Sequence, residues 1–349
     1  MPIPNDKRFW YLSNGFGYVN ANGASSYQSE YTTVSYLARA LYNYRSKYYL
    51  NASFRDDASS RIPEKNRHQQ FWSVGAAWDL TRENFMQNVK FINFLKLKGS
   101  IGVLGNQSTY GVSGDYPSYP GLRSGTQVPF GTTIVTGALA AYRVNPDLRW
   151  ETVDAAEVGV ELNAFDNRLH FEANYFNKKT KDMMTYVSLG SLGLDDQLEN
   201  GGAIKNWGEE FSASWNQKLS RDFSITISGN ITFMDNKVLS LAQDLPGGIL
   251  IQGNANNGSA EARTLPGQPI GSFYGYVVEG LYQSNLDILS SPPASSLGTY
   301  RPGDFKFKDI NGDGVIDAND RTVIGNPSPD FIYGGAITAN YKNITFGVD

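Results

Sequence analysis

The twelve residues from Asp309 to Asp320, "DINGDGVIDAND", carry four aspartates and two asparagines. Counted from Asp309, oxygen donors fall at position 1 (Asp309), 3 (Asn311), 5 (Asp313), 7 (the Val315 carbonyl), 9 (Asp317) and 12 (Asp320). Gly314 stands at 6 and Ile316 follows as an apolar anchor. Hard oxygens at this spacing, with glycine at the sharp bend, suit calcium. Carboxylates so close together repel one another unless a cation lies among them. Asp320 is shorter than the glutamate usual at the last position, so weak binding with a structural role is expected. A solvated Gly/Asn/Asp turn is the other reading of the same residues. Helices should flank an EF-hand loop, yet the chain continues as "RTVIGNPSPDFIYGG", which is strand and turn sequence.

Other chemistry is thinly represented. The absence of cysteine removes disulfides, thiolate zinc sites and cysteine nucleophiles together. His68, expected in an outer loop, and His170, expected on the polar face of a strand, lack a second histidine or glutamate at metal-binding spacing. Glu209 and Glu210 are adjacent, so in a strand they point to opposite faces and make no acid/base pair. Neither a nucleophile elbow nor a phosphate loop is present, and no enzymatic activity is expected. Five aromatics in loop regions, Tyr110, Tyr116, Tyr119, Trp150 and Trp207, could stack on sugar rings or contact peptide; girdle or loop packing is the alternative for each.

The elements that must position these residues are strands. "FSITISGNITF" places Phe223, Ile225, Ile227, Ile231 and Phe233 on one face and Ser224, Thr226, Ser228, Asn230 and Thr232 on the other. The same alternation marks "YLARALYNY", "KYYLNASFR", "FWSVGAAWDL", "LKLKGSIGV", "EVGVELN", "LHFEANY", "FSASWNQKL" and "FIYGGAITANY", and a tenth strand opens at Ile344. Runs of about ten residues exceed the five or six usual in soluble sheets and match a tilted crossing of a bilayer. Tyr42, Tyr44, Tyr48, Trp72, Trp78, Phe223 and Phe233 stand near strand ends, where interfacial girdles lie. No apolar run of about 18 residues exists, which excludes helical membrane spans. The 30 basic and 34 acidic residues are interspersed, so a nucleic-acid partner is not expected.

Connection lengths sharpen the reading. Short links at 45–47, 165–168, 220–222 and 342–343, and a medium one at 81–94, alternate with long ones at 56–69, 105–152, 177–208 and 234–330. Outer-membrane barrels alternate short periplasmic turns with long extracellular loops in this way. Parity then assigns "SFYGYVVEGLYQS", Ser272 to Ser284, to the extracellular region although its pattern is strand-like. The fold class expected is all-β, an antiparallel transmembrane β-barrel with long extracellular loops.

Several stretches, in order, resemble one family: "FLKLKGSIGVLGNQ", "NPDLRWETVDAAEVGVE", "NRLHFEANYFNKKTKDMM", "NGGAIKNWGEEFSASW", "GQPIGSFYGYVVEGLYQ" and "DFKFKDINGDGVIDANDRTVIGNPSPDFIYGG". Over roughly 35–349 the chain is similar to SusC/RagA-type TonB-dependent outer-membrane transporters. The resemblance implies part of a barrel of about 22 strands, plugged at its lumen. It implies residence in the cell outer membrane, in contact with its lipid. A SusD-like surface lipoprotein and TonB are the implied partners, and glycan or peptide oligomers the implied cargo. Against that pattern, the sequence is expected to lack the plug, the TonB-contact segment and a signal peptide, and to stop before the last strands; residues 1–34 would lead into the barrel. A soluble or cell-surface β-rich calcium-binding adhesion module is the competing function.

Overall fold

The computed structural model describes residues 29–109, 116–119, 121–140, 142–187, 197–242, 249–251, 261–294 and 298–349. Four long strands come first: β1 (Thr33–Tyr44), β2 (Tyr48–Ser59), β3 (His68–Asp79) and β4 (Ile92–Asn106). A hairpin, β5 (Leu122–Phe130) and β6 (Thr133–Ala140), precedes β7 (Glu151–Ala164) and β8 (Leu169–Lys181). A second short pair, β9 (Met184–Val187) and β10 (Gln197–Asn200), leads into β11 (Gly202–Lys218) and β12 (Phe223–Leu241). The long excursion that follows holds β13 (Ile249–Ile251), β14 (Glu261–Thr264), β15 (Ser272–Tyr276), β16 (Val278–Leu281), α1 (Asn285–Ser290), β17 (Phe305–Phe307) and β18 (Arg321–Gly325). The chain then returns through β19 (Phe331–Tyr341) and β20 (Ile344–Val348).

Among the described residues, ten strands form one antiparallel meander in the order β1-β2-β3-β4-β7-β8-β11-β12-β19-β20. These are the ten whose polarity alternates in the sequence. Register makes each face continuous, because directly paired residues share a side. One face carries Val158, Tyr175, Phe211, Ile227, Ile231, Phe233 and Ile337, and among the described residues no second sheet covers it. Ile101, Val158, Ile227 and Ile337 are 54%, 57%, 52% and 54% exposed. A β-sandwich would bury such residues, whereas a barrel wall offers them to lipid. The opposite face carries Lys96, Lys98, Glu157, Glu161, His170, Glu172, Asn174, Ser212, Ser228 and Asn230, the composition of a wet lumen.

Short connections close tightly. Between β1 and β2, Arg45 and Ser46 both take φ of 53°, and Lys47 N–H donates to the Tyr44 carbonyl at 3.0 Å. Two successive left-handed residues give a turn whose twist matches the flanking strands.

The ladders run beyond the boundaries that polarity alone suggests. Observed long connections span 60–67, 107–150, 182–201 and 242–330, against the expected 56–69, 105–152, 177–208 and 234–330. In β11 and β12, pairing continues from Lys218 opposite Ser224 up to Gly202 opposite Leu241. Backbone ladders need no apolar side chains, so strands persist past the apolar band as polar ribbons above the membrane. Residues 272–284 fall in β15, within the four-stranded sheet β13-β14-β15-β18, and in β16, which pairs with β17. Neither is part of the ten-stranded wall.

Candidate functional site: the inner wall and its long-loop cap

On the inner wall, long polar side chains lie flat across glycines. Lys98 reaches over Gly159 to an ion pair with Glu172, which also accepts from Asn174 Nδ2 at 3.1 Å. A Cβ at Gly159 would collide with Asn174 and Lys98, so the absent side chain is what lets this network form. His170 Nδ1 lies 2.7 Å from Asn163 Oδ1, its cross-strand partner. Lys96 Nζ sits 5.2 Å from the Tyr49 ring. The wall is thus lined with charged and hydrogen-bonding groups tied to one another along the ladder, a surface suited to contact with water.

Aromatic belts bound the outward face. At the short-turn end, Tyr44, Tyr48, Trp78 and Phe85 follow one another with ring centroids 6.5, 6.2 and 6.4 Å apart. Phe91, Phe165 and Trp215 continue the series at 5.9 Å each. At the long-loop end, Phe211, Phe233, Phe331 and Tyr333 form a second series at 6.4, 6.1 and 6.1 Å. Two aromatic rows around an apolar band are what a lipid bilayer imposes on a barrel.

Above the upper belt the loops are knitted into a cap. Ile62, Phe71, Leu148, Trp150 and Leu198 are buried together, with Val103, Met184 and Tyr186 packed around them. Asn66 donates to the Asp147 and Leu148 carbonyls at 3.0 and 3.1 Å, and Lys65 pairs with Asp147. Asn200 accepts from the Arg149 N–H at 2.7 Å and donates to the Arg149 and Asp182 carbonyls at 2.8 Å each. Arg149 also pairs with Asp182 at 2.6 Å, and that hydrogen bond raises the guanidinium pKa further. Three connections distant in sequence therefore share one small core.

The loop aromatics separate into distinct roles. Trp150 is 4% exposed, edge-on to Phe71 at 5.6 Å, and its indole N–H donates to the Arg67 carbonyl at 2.9 Å. It is a core residue of the cap, which corrects its expected place on a ligand-contacting surface; burial behind Ile62 and Leu148 leaves no ring face open. Trp207 lies in β11 on the same face as Phe211 and Trp215, not in a loop, so it faces away from the lumen. That too is a correction, and its cause is the ladder continuing above the apolar band. Tyr116 donates to the Glu30 carbonyl at 2.6 Å and meets Tyr119 edge-on at 5.9 Å. Tyr119 is 57% exposed, while Tyr110 lies outside the described residues.

The Asp309 loop is a self-bonded turn. Asp309 accepts from the Gly312 and Gly314 amides at 2.7 and 2.8 Å, Asn311 from Asp313 at 3.0 Å, and Asp313 from Val315 at 2.9 Å. Gly312 and Gly314 take φ of 73° and 82°, the left-handed region that glycine enters freely. Asp320 is buried and accepts from the Ile310 and Asp317 amides at 2.8 Å each, which hold its carboxyl below the usual range. Asp317 caps the turn through the Asn319 amide at 2.8 Å. Among the described residues no three acidic or imidazole groups converge on a common point.

The remaining titratable candidates have local partners. His68 is the first residue of β3 rather than a loop residue, and its Nδ1 is 2.9 Å from Asp56 Oδ2. Glu209 pairs across the ladder with Tyr175 and Phe233 on the outward face, and Glu210 with Asn174 and Thr232 on the inner one. The Lys98–Glu172 network and the cap core left no signal in local sequence, since each joins residues on separate strands or loops.

Residues 5–342 match the family model described as TonB dependent receptor-like, beta-barrel. TonB-dependent receptor P26 of Formosa agariphila is 32% identical over 335 residues, covering 93% of this chain and 32% of the relative. TonB-dependent receptor SusC of Bacteroides thetaiotaomicron is 27% identical over 330 residues, covering 92% and 31%. The chain thus spans about a third of the length of these curated relatives. The structure of the RagAB peptide importer in its closed-closed state superposes with a TM-score of 0.70 at 24% identity, over 91% of this chain and 33% of that one. That likeness is one of fold.

Proposed function

The chain belongs to the TonB-dependent receptor β-barrel family, and from that premise we propose that it builds part of the wall of an outer-membrane nutrient importer of the SusC type. Its place is the cell outer membrane. One observation carries the reading: a single ten-stranded sheet with uncovered isoleucines and phenylalanines on one face and a bonded polar lining on the other. Such a sheet separates lipid from an aqueous passage.

Cargo and partners belong to the intact protein. An oligomeric glycan or peptide is the cargo class, supported by the likeness to SusC and to the fold of the RagAB peptide importer. A SusD-like surface lipoprotein and TonB are the partners, on the same family grounds. Tyr119, with Tyr116 fixed behind it, is the exposed aromatic surface of the cap that could stack on such cargo. The Asp309–Asp320 loop acts structurally, and Asp309, Asn311, Asp313, Asp317, Asp320 and the Val315 carbonyl are the groups that would hold calcium. Residue types and spacing support that assignment; the side chains would have to turn inward from their amide partners. No residue is assigned a catalytic role.

Deleting the gene in its host tests the import role. Growth on oligosaccharide or on peptide as sole nutrient should fall for one class only, return on complementation, and depend on TonB. Equal growth on every oligomeric nutrient would remove the importer reading.

A further inference from the structure

The hairpin β5–β6 is a two-stranded ribbon that no other strand joins among the described residues. Its register closes on Phe130 opposite Thr133, around Gly131 with φ of 63°. Glycine with positive φ at the first turn position makes the tight two-residue turn that follows the twist of the strands. That turn sets Phe130 and Thr133 as a hydrogen-bonded pair, and pairs alternate from there along the ladder. Ile134 opposite Pro129 and Thr136 opposite Gln127 are therefore non-hydrogen-bonded pairs, whose backbone groups point away from the hairpin. The register shift falls on β5, between Ser124 and Thr126, so β6 keeps its alternation as far as Ala138.

The two edges differ. On β5 an outward position is held by Pro129, which has no N–H to offer and is a common guard of exposed edges. On β6 the outward amides and carbonyls of Ile134, Thr136 and Ala138 form a row about 6.8 Å apart, two residues of strand. Lysine, proline and bulges keep a free edge from taking up a further strand, and β6 has none of them. No charged residue occurs from Ser124 to Ala140, and Phe130, Ile134 and Val135 are exposed. At the root of the hairpin the Tyr142 hydroxyl donates to the Tyr119 carbonyl at 2.7 Å, and a Cβ at Gly121 would strike the Tyr142 ring. The ribbon thus stands on a fixed base, with the exposed Tyr119 at its foot.

We propose that the outer edge of β6 captures extended, uncharged peptide by strand addition. Main-chain pairing supplies the affinity, so capture tolerates many sequences. A peptide repeats its own amides and carbonyls at the spacing of the row, which the hydroxyls of a sugar chain do not. With no charge along the ribbon, an uncharged segment loses no ion hydration on docking. The inference rests on the importer reading above and narrows its cargo class to peptide.

Full-length protein purified in detergent from outer membranes gives the test, with calorimetry reading affinity and hydrogen exchange reading the Ile134, Thr136 and Ala138 amides. The probes are an uncharged Ser-, Thr- and Val-rich peptide of the length of β6, the same peptide methylated at every amide nitrogen, and a maltooligosaccharide of similar mass. The first should bind and slow exchange at the three amides; the other two should do neither. Thr136→Pro removes one outward N–H without breaking a bond to β5, and should weaken peptide binding about tenfold. Gln127→Pro makes the same change directly across the ladder, on the edge that Pro129 already guards, and should bind as the native protein does. Should the prolines unfold the hairpin, the methylated peptide against native protein decides alone. Equal binding of the methylated peptide, native affinity in Thr136→Pro, or equal protection by the oligosaccharide would each overturn the proposal. Slow exchange at the three amides before peptide is added would overturn it too, since a second copy or another strand would then hold the edge. Uptake is not the readout, so failure here is distinct from failure of the importer reading.

Discussion

Trp78, near the end of β3, donates its indole N–H at 3.1 Å to Glu83 in the connection that follows. The same carboxylate accepts from the Tyr48 hydroxyl at 2.8 Å and from Lys47 at 3.1 Å. One glutamate thus fixes the polar tips of two belt aromatics, whose rings stack at 6.2 Å, and anchors the turn between β1 and β2. Belt side chains keep an apolar body in lipid and a polar end in water; here that end is held by protein.

Hydrogen bonds from Tyr48, Lys47 and Trp78 hold the Glu83 carboxyl below its ordinary value. The depressed pKa sets the sign: the contribution is complete above the unfolded carboxylate pKa, about 4.3, and is lost as pH falls through the lower folded value. Glu83→Gln should lower the melting temperature at neutral pH and shrink the acid-dependent part of the melting curve. Unchanged melting of the variant across pH 3 to about 7 would count against the hub.

Trp150 supports a cap rather than a ligand. Trp150→Ala removes a buried ring, at a cost of about 3–5 kcal/mol local to the cap, because the wall strands have their own ladder. Limited proteolysis should cut residues 107–150 faster, while the heat-dependent gel shift of the barrel stays put. Loss of the gel shift would show that cap and wall fold as one unit.

Ile227 and Ser228 are neighbours on opposite faces of β12. Ile227→Lys places a charge toward lipid and should cost about 2–4 kcal/mol, whereas Ser228→Lys faces the polar lining and should cost far less. Urea titration of the folded protein in lipid vesicles measures both. Equal costs would mean that the two faces meet similar surroundings.

The Asp309 loop gives a two-part expectation. Asp320→Ala should loosen it with or without calcium, since the Ile310 and Asp317 amides lose their acceptor. Asp313→Asn should instead abolish only a calcium-induced gain in protection, read by hydrogen exchange across 309–320. If calcium changes no exchange rate in the native protein, the loop is a turn alone.

Alternation along single strands made the wall legible from sequence. Phe223, Ile225 and Ile227 repeat every second residue, and the pleat turns that repeat into a face without any distant contact. The sequence alone therefore determined ten strands, their sidedness and the exclusion of 272–284 from the wall. Tertiary structure decided what depends on distant partners. Ile62, Leu148 and Leu198 meet only because three loops converge, so Trp150 lay hidden as a core residue. Trp207 changed role because ladders outlast the apolar band. Ile134, Thr136 and Ala138 became an open row only through register, which cross-strand hydrogen bonds fix and no single strand encodes.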